Sequence, residues 1–333
     1  MNKVKDNRGE VILEVDDLCI EFLHRKGNLK AIQHATFDMR QGEILGVVGE
    51  SGAGKSLTGS AITGLLEAPG RISGGEIRLH GKRIDNLDEE QRRLLRGKEI
   101  GAIFQDPLTS LNPVLTVGKQ LIETIQTHLP LSYAQARQKA LDLMKEVGIP
   151  AAEQRIDQYP HQFSGGMRQR IVIALALCVE PRVIIADEPT TALDVSVQAQ
   201  VLQLLRRLCK NHNASVMLVT HDMGVIAEIC DRVAVMYAGR LVEIGPVEAV
   251  LKSPSHPYTA GLMSSIPRIG VREQRLSQIP GSMPRLNAIP QGCAFNPRCP
   301  NSSAECRQQE PALKAVGDSR VACLKVMEEE LVS

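Results

Sequence analysis

The run Gly49-Glu50-Ser51-Gly52-Ala53-Gly54-Lys55-Ser56 constrains this chain more than any other. It fits G-x-x-x-x-G-K-[ST] and follows directly on the apolar stretch Ile44 to Val48, where a buried strand would turn into a helix. Glycines there free backbone N–H groups to wrap phosphate oxygens, and the following helix turns its positive dipole end toward them. In such a loop Lys55 reaches the phosphates and the Ser56 hydroxyl ligates Mg²⁺. Two later runs add to it. Phe163-Ser164-Gly165-Gly166-Met167-Arg168-Gln169-Arg170 sets Ser-Gly-Gly at the start of a long helical stretch, a second helix end suited to an anion. Val183-Ile184-Ile185-Ala186-Asp187-Glu188 ends four apolar residues in two carboxylates, a buried strand that delivers Asp187 and Glu188 to the metal and to water.

Taken singly, each run has a bland reading. Phosphate loops occur in kinases and GTPases, Ser-Gly-Gly is a common turn, and an acidic pair can be a solvated strand end. Order and spacing decide. Gln105 falls between the first and second runs, Asp194 follows the acidic pair, and His221 ends the apolar strand Ser215 to Thr220. With all of these in sequence, residues 11 to about 255 resemble the ATP-hydrolysing subunits of ABC transporters.

That resemblance implies roles for individual residues. Phe22 matches the aromatic residue that stacks on adenine, a contact worth about 1–3 kcal/mol for nucleobases; filling the sheet core is the lesser alternative. Gly49 to Ser56, with Asp194, form the set expected to hold ATP. Asp187 matches the carboxylate that holds Mg²⁺ through water, beside Ser56 and Gln105. Glu188 matches the residue that polarises the attacking water, and His221 the histidine that contacts the γ-phosphate. Gln105 matches the glutamine that senses Mg²⁺ and couples to membrane subunits. Ser164, Gly165 and Gly166 are implied to act on the ATP of a second subunit packed head to tail, so that ATP glues the pair and hydrolysis releases it. Met167 stands where the family usually has Gln, which leaves the hydroxyl and the backbone donors in place.

Composition sets limits. A chain of 333 residues with 43% hydrophobic content can bury a full α/β core and has room for one large and one small domain. A net charge of +1 gives no pull toward nucleic acid, and none is expected as a partner. The longest apolar run, Ile171 to Val179, is far short of the roughly 20 residues a membrane helix needs. The start Met1 to Asn7 is polar, so no secretory signal is expected. The chain is expected to be cytosolic and to meet a membrane through embedded partners.

Val11 to Phe22, Ala31 to Met39 and Glu76 to Leu79 suggest a small antiparallel sheet. Gly54 to Leu66 suggests a helix stopped by Glu67-Ala68-Pro69-Gly70. Ile100 to Phe104, Val183 to Ala186, Ser215 to Thr220 and Arg232 to Tyr237 suggest buried strands, with helices such as Val195 to Cys209 between them. This alternation predicts an α/β fold: a P-loop NTPase core with a parallel sheet. Val117 to His128 and Tyr133 to Val147 suggest a helical subdomain over about 106–180. The expected domains are a nucleotide-binding domain over 1–255 and a small Cys-rich extension over 256–333.

The extension narrows the resemblance. Ser255-His256-Pro257-Tyr258-Thr259-Ala260-Gly261-Leu262, Ile279-Pro280-Gly281 and Gly292-Cys293-Ala294-Phe295-Asn296-Pro297-Arg298-Cys299-Pro300 resemble the peptide and nickel importer branch. Membership there implies two membrane permeases, a second similar ATPase as heterodimer partner, an extracytoplasmic solute-binding protein, and a peripheral place on the cytoplasmic face of a bacterial inner membrane. The expected cargo is a dipeptide or oligopeptide. Nickel, glutathione or another small solute are alternatives, and a soluble non-transport ABC ATPase is a more distant one. Cys293, Cys299, Cys306 and Cys323 are spaced C-x5-C-x6-C-x16-C. In a cytosolic protein such clustering suggests metal, with zinc, an iron–sulfur cluster and free thiols all open. The family resemblance favours a [4Fe-4S] cluster. Cys19, Cys178, Cys209 and Cys230 are expected to be small buried hydrophobes.

Overall fold

The computed structural model describes residues 9–25, 27–191, 193–265 and 278–326, so the polar start Met1 to Asn7 lies outside the described residues. The chain divides into two compact units. One comprises the stretch up to Leu13, Met39–Ile44 and Leu79–Leu218; the other comprises Glu14–Asp38, Leu45–Arg78 and the chain from Val219 onward.

In the first unit the strands Ile100–Ile103 and Val183–Asp187 pair in parallel, from Ile100 opposite Val183 to Ile103 opposite Ala186. The strand Ser215–Val219 begins beside them, where Ser215 N–H donates to the Arg182 carbonyl at 2.9 Å. These strands are short, apolar and almost wholly buried, as parallel strands covered on both faces are. Helices fill the interval between the first two: Pro107–Ser110, Val117–His128, Tyr133–Glu146, Ala152–Arg155 and Gly165–Leu177. Thr116 caps the second and Ser132 caps the third in a reciprocal box with Gln135. Leu121, Ile125, Ala136, Ala140 and Met144 are buried along the apolar stripes of these two helices. Helices are present where the proline-broken pattern suggests them.

The strands Val11–Phe22, Leu29–Arg40 and Gly70–Leu79, most of whose residues belong to the second unit, lie side by side, with the first in the middle. Leu23 N–H donates to the Pro69 carbonyl at 3.1 Å, while Gly75 meets the carbonyl of Asp17, so the outer strand runs antiparallel. Leu45–Val48 pairs in parallel with Arg232–Val235. The strand Arg240–Pro246 then folds back antiparallel on Arg232–Tyr237. Beyond it the hairpin Lys314–Val316 and Ser319–Val321 adds two more strands, with Val321 opposite Glu243. Neither Arg240–Pro246 nor the hairpin is foreshadowed by apolar alternation. The helix after the phosphate loop spans Lys55–Thr63 and ends at Gly64, whose φ of 67° closes it before Leu66. Tyr237, Tyr258 and Phe295 are buried together in this unit's core, with ring centroids 4.7 to 5.4 Å apart.

Candidate nucleotide site

The phosphate loop belongs to the second unit, and its backbone needs the glycines it has. Gly49 has φ 152° and a Cβ there would stand 2.2 Å from the Met236 carbonyl oxygen. Gly54 has φ 104° and a Cβ would stand 2.3 Å from Ile32 Cδ1. Any side chain at either position breaks the loop. Lys55 is buried, and its ammonium donates to the carbonyls of Gly49 at 2.8 Å and Glu50 at 3.1 Å. It therefore lies curled across the loop, at the N-terminus of the Lys55–Thr63 helix. Ser56 is exposed in the first turn of that helix. A glycine-shaped loop backbone, a helix end and the Lys55 ammonium make this cradle fit the phosphates of a nucleotide.

Phe22 ends its strand half-buried and lies close to Gly70, where a Cβ would stand 3.1 Å from its ring. It does not fill the sheet core. His221 is exposed just past Ser215–Val219, and Asp222 beside it caps the helix Met223–Ile229 by accepting from Gly224 N–H at 2.8 Å.

In the first unit, Asp187 ends its strand and Glu188 follows with φ 45°, the left-handed region that a residue with a side chain enters at a cost of about 1–3 kcal/mol. The Glu188 carboxylate is held from two sides. Gln105 Nε2 donates to its Oε2 at 3.1 Å, and the Thr191 hydroxyl donates to the same oxygen at 2.8 Å. Nothing in the sequence singles out Thr191. Ser164 is the exposed N-cap of Gly165–Leu177, accepting from Met167 N–H at 3.4 Å. A Cβ on Gly166 would stand 2.6 Å from Val197 Cγ1, which explains a glycine there by helix packing. Asp194 is exposed and begins the helix Val195–Asn211, extended two residues beyond Cys209.

Two contacts join the phosphate loop to the C-terminal part of the chain and are invisible to motif reading. Arg298 forks onto Glu50, with both oxygens 3.0 Å from a guanidinium nitrogen. Tyr258 accepts from Glu50 N–H through its hydroxyl at 2.9 Å.

The cysteines differ from expectation. Among the described residues no group of three or more His, Cys, Asp or Glu could hold a metal ion, so zinc has no formed site and the structure does not support the [4Fe-4S] cluster. Cys293, Cys299, Cys306 and Cys323 are unbridged. Burial pushes the Cys293 thiol up to about 11, and nearby Cys299, Cys306 and Cys323 add to the rise. Cys299 is raised for the same reasons. Cys178 and Cys209 are buried as expected, each pushed up to about 12 by burial, but Cys19 and Cys230 are only half-buried.

The loop, the serine-capped glycine helix and the paired carboxylates define a phosphate-loop ATPase of the ATP-binding cassette class. Comparison with known proteins agrees. Residues 32–191 match the ABC transporter family, and residues 242–306 match the oligopeptide/dipeptide transporter C-terminal region. The chain is 44% identical over 309 residues to the dipeptide transport ATP-binding protein DppD of Escherichia coli, covering 93% of this chain and 94% of that one. It is 47% identical over 322 residues to the oligopeptide transport ATP-binding protein OppD of Salmonella typhimurium, covering 96% of each. The dimeric ATP-binding cassette MJ0796, in a post-hydrolysis state with ADP and Pi, superposes with a TM-score of 0.63 at 26% identity, covering 71% of this chain and 99% of that one. The chain belongs to the ABC transporter family and is an ATP-hydrolysing subunit of it. No helix among the described residues is long and apolar enough to cross a membrane.

Proposed function

We propose that this chain powers an importer for dipeptides or oligopeptides. The observation that carries the reading is full-length identity of 44–47% to peptide transport ATP-binding proteins, extending through the C-terminal region. As such a subunit it works on the cytoplasmic face of a bacterial inner membrane, with two permeases, a second ATPase and a solute-binding protein outside. The extension over 256–333 is the part that marks this branch.

Phosphoryl transfer asks for positioning and charge neutralisation more than covalent chemistry. The loop N–H groups and Lys55 take the phosphate charge, and Phe22 takes the adenine face. Mg²⁺, when bound, would spread the phosphate charge, and the family resemblance assigns Ser56, Gln105 and Asp187 to hold it. Glu188 orients and polarises the water, with Gln105 and Thr191 fixing its carboxylate. His221 and Asp194 complete the nucleotide set, and Ser164, Gly165 and Gly166 serve the partner's ATP. The [4Fe-4S] reading of the four C-terminal cysteines rests on the family resemblance and on their proximity, Cys299, Cys306 and Cys323 all lying near enough to Cys293 to help raise its pKa. Its test is iron and acid-labile sulfide in protein purified without oxygen; colourless, iron-free protein sinks it.

The transport reading is tested by deleting the gene and measuring uptake of labelled dipeptides and oligopeptides. Loss of uptake, restored by the wild-type chain and not by a Lys55→Ala variant, is expected. Unimpaired peptide uptake in the deletion strain, with loss of another solute's uptake, overturns it.

A further inference from the structure

Glu50 is an odd residue for a phosphate cradle. It puts a carboxylate into a loop whose ligand carries several negative charges, and like charges a few ångströms apart repel strongly where water is scarce. All three of its polar groups are engaged within the second unit. Its carbonyl accepts from Lys55 at 3.1 Å, its N–H donates to Tyr258 at 2.9 Å, and its carboxylate takes the two-pronged Arg298 fork.

Arg298 is itself immobilised. Its side chain is 8% exposed, against 29% for Glu50. Its Nε donates to the Pro280 carbonyl at 2.7 Å, and its guanidinium lies 5.7 Å from the Tyr237 ring centroid and 6.0 Å from that of Phe295. A planar fork held by a carbonyl and two rings matches a carboxylate in a way a lysine cannot. Tyr258, the second contact, is fully buried against the same rings. Both residues come from the chain beyond 255, so the segment that marks this branch reaches the ATP loop directly.

We propose that Arg298 is a positioning residue for ATP binding: it cancels the charge of Glu50 and, with Tyr258, holds the phosphate loop in its phosphate-accepting shape. The C-terminal segment is thereby part of the ATPase and not only an appendage to it. Loss of the guanidinium strands a carboxylate beside the phosphates, so the defect is charge repulsion and depends on position 50. A purely structural role for Arg298 carries no such dependence. The inference rests on the loop being the ATP cradle.

The test measures the ATP dissociation constant and the melting temperature of the full-length chain as wild type, Arg298→Met, Glu50→Gln and the double variant. Arg298→Met is expected to weaken ATP binding roughly tenfold or more, the scale of a lost hydrogen bond to a charged group. In the Glu50→Gln background the same change should alter affinity less than about twofold, the ordinary margin for uncoupled sites. Should Arg298→Met fail to fold, Arg298→Gln, which is shorter but keeps an uncharged N–H donor, takes its place in the cycle. Two results overturn the inference: Arg298→Met binding ATP as the wild type does, or an equal loss with and without the Glu50 charge. A wild-type chain that binds no ATP overturns the cradle reading itself.

Discussion

Gln105 Nε2 lies 3.1 Å from Glu188 Oε2, linking the end of one buried parallel strand to the end of its neighbour. The Thr191 hydroxyl reaches the same oxygen, and the left-handed backbone at Glu188 aims the side chain. A carboxylate fixed this firmly suits a group that must meet one water in one orientation. Glu188→Gln keeps the shape and removes the charge. It is expected to leave ATP binding intact and to slow hydrolysis by about a hundredfold or more, the lower range for loss of a general base. Wild-type turnover by the assembled variant would show that Glu188 is not the base at this site.

Lys55→Ala removes the cation that lies across the loop. Transition-state charge on the transferring phosphoryl then loses its fixed partner, and a drop of about a hundredfold or more in hydrolysis is expected. Uptake in cells lacking the wild-type copy is the cleaner readout, since the second ATPase proposed for the complex would bring its own loop. Normal uptake would dismiss Lys55.

Much of the local structure around the proposed site was legible because its motifs are local. The loop, the capped glycine helix and the acidic strand end each carry their pattern within a few consecutive residues, and the five-residue, mostly apolar run Ser215–Val219 is too short for a helix and reads as a buried strand. What escaped is long-range. Arg298 and Glu50 lie 248 positions apart, and no periodicity connects them. The strand Arg240–Pro246 carries Gly245 and Pro246 and has Val321 of the distant hairpin as a partner, so its own composition understates it. The early end of the Lys55–Thr63 helix did have a signal, because Gly64 supplies the left-handed cap that the later proline only seems needed for. Thr191 was missed for a plainer reason: a hydroxyl near a carboxylate matters only once the turn after Glu188 is known.

Ser164→Arg tests the second helix end. Ser164 is exposed and caps Gly165–Leu177, so an arginine there loses the cap and sets a bulky cation against the positive end of the helix dipole. ATP binding to the chain's own loop should survive, while hydrolysis by the assembled complex falls. Titrating the isolated full-length chain beside the complex separates the two. Lost binding in the isolated chain would make the serine's role structural or internal.

Stability should carry a pH signature from His256. Its ring is fully buried, and its Nδ1 accepts from Tyr258 N–H at 3.0 Å, which leaves the ring proton on Nε2. Burial lowers its pKa from 6.5 to about 3. The sign follows from that depression. Between those two values the unfolded chain takes up a proton that the folded chain refuses, so stability is complete above about pH 6.5 and falls as the pH drops toward 3. At pH 5 the loss from this group alone is about 2 kcal/mol, at roughly 1.4 kcal/mol per unit. Glu243 lies next to it, accepting from the backbone N–H groups of Ser255 and His256, and it stays in place when the histidine is replaced. His256→Asn keeps a helix-capping acceptor but cannot titrate. The variant should be less stable than wild type at pH 8 through lost packing, and the gap should narrow steadily in urea titrations down to pH 5. A gap that stays constant across that range would assign the acid sensitivity to other groups.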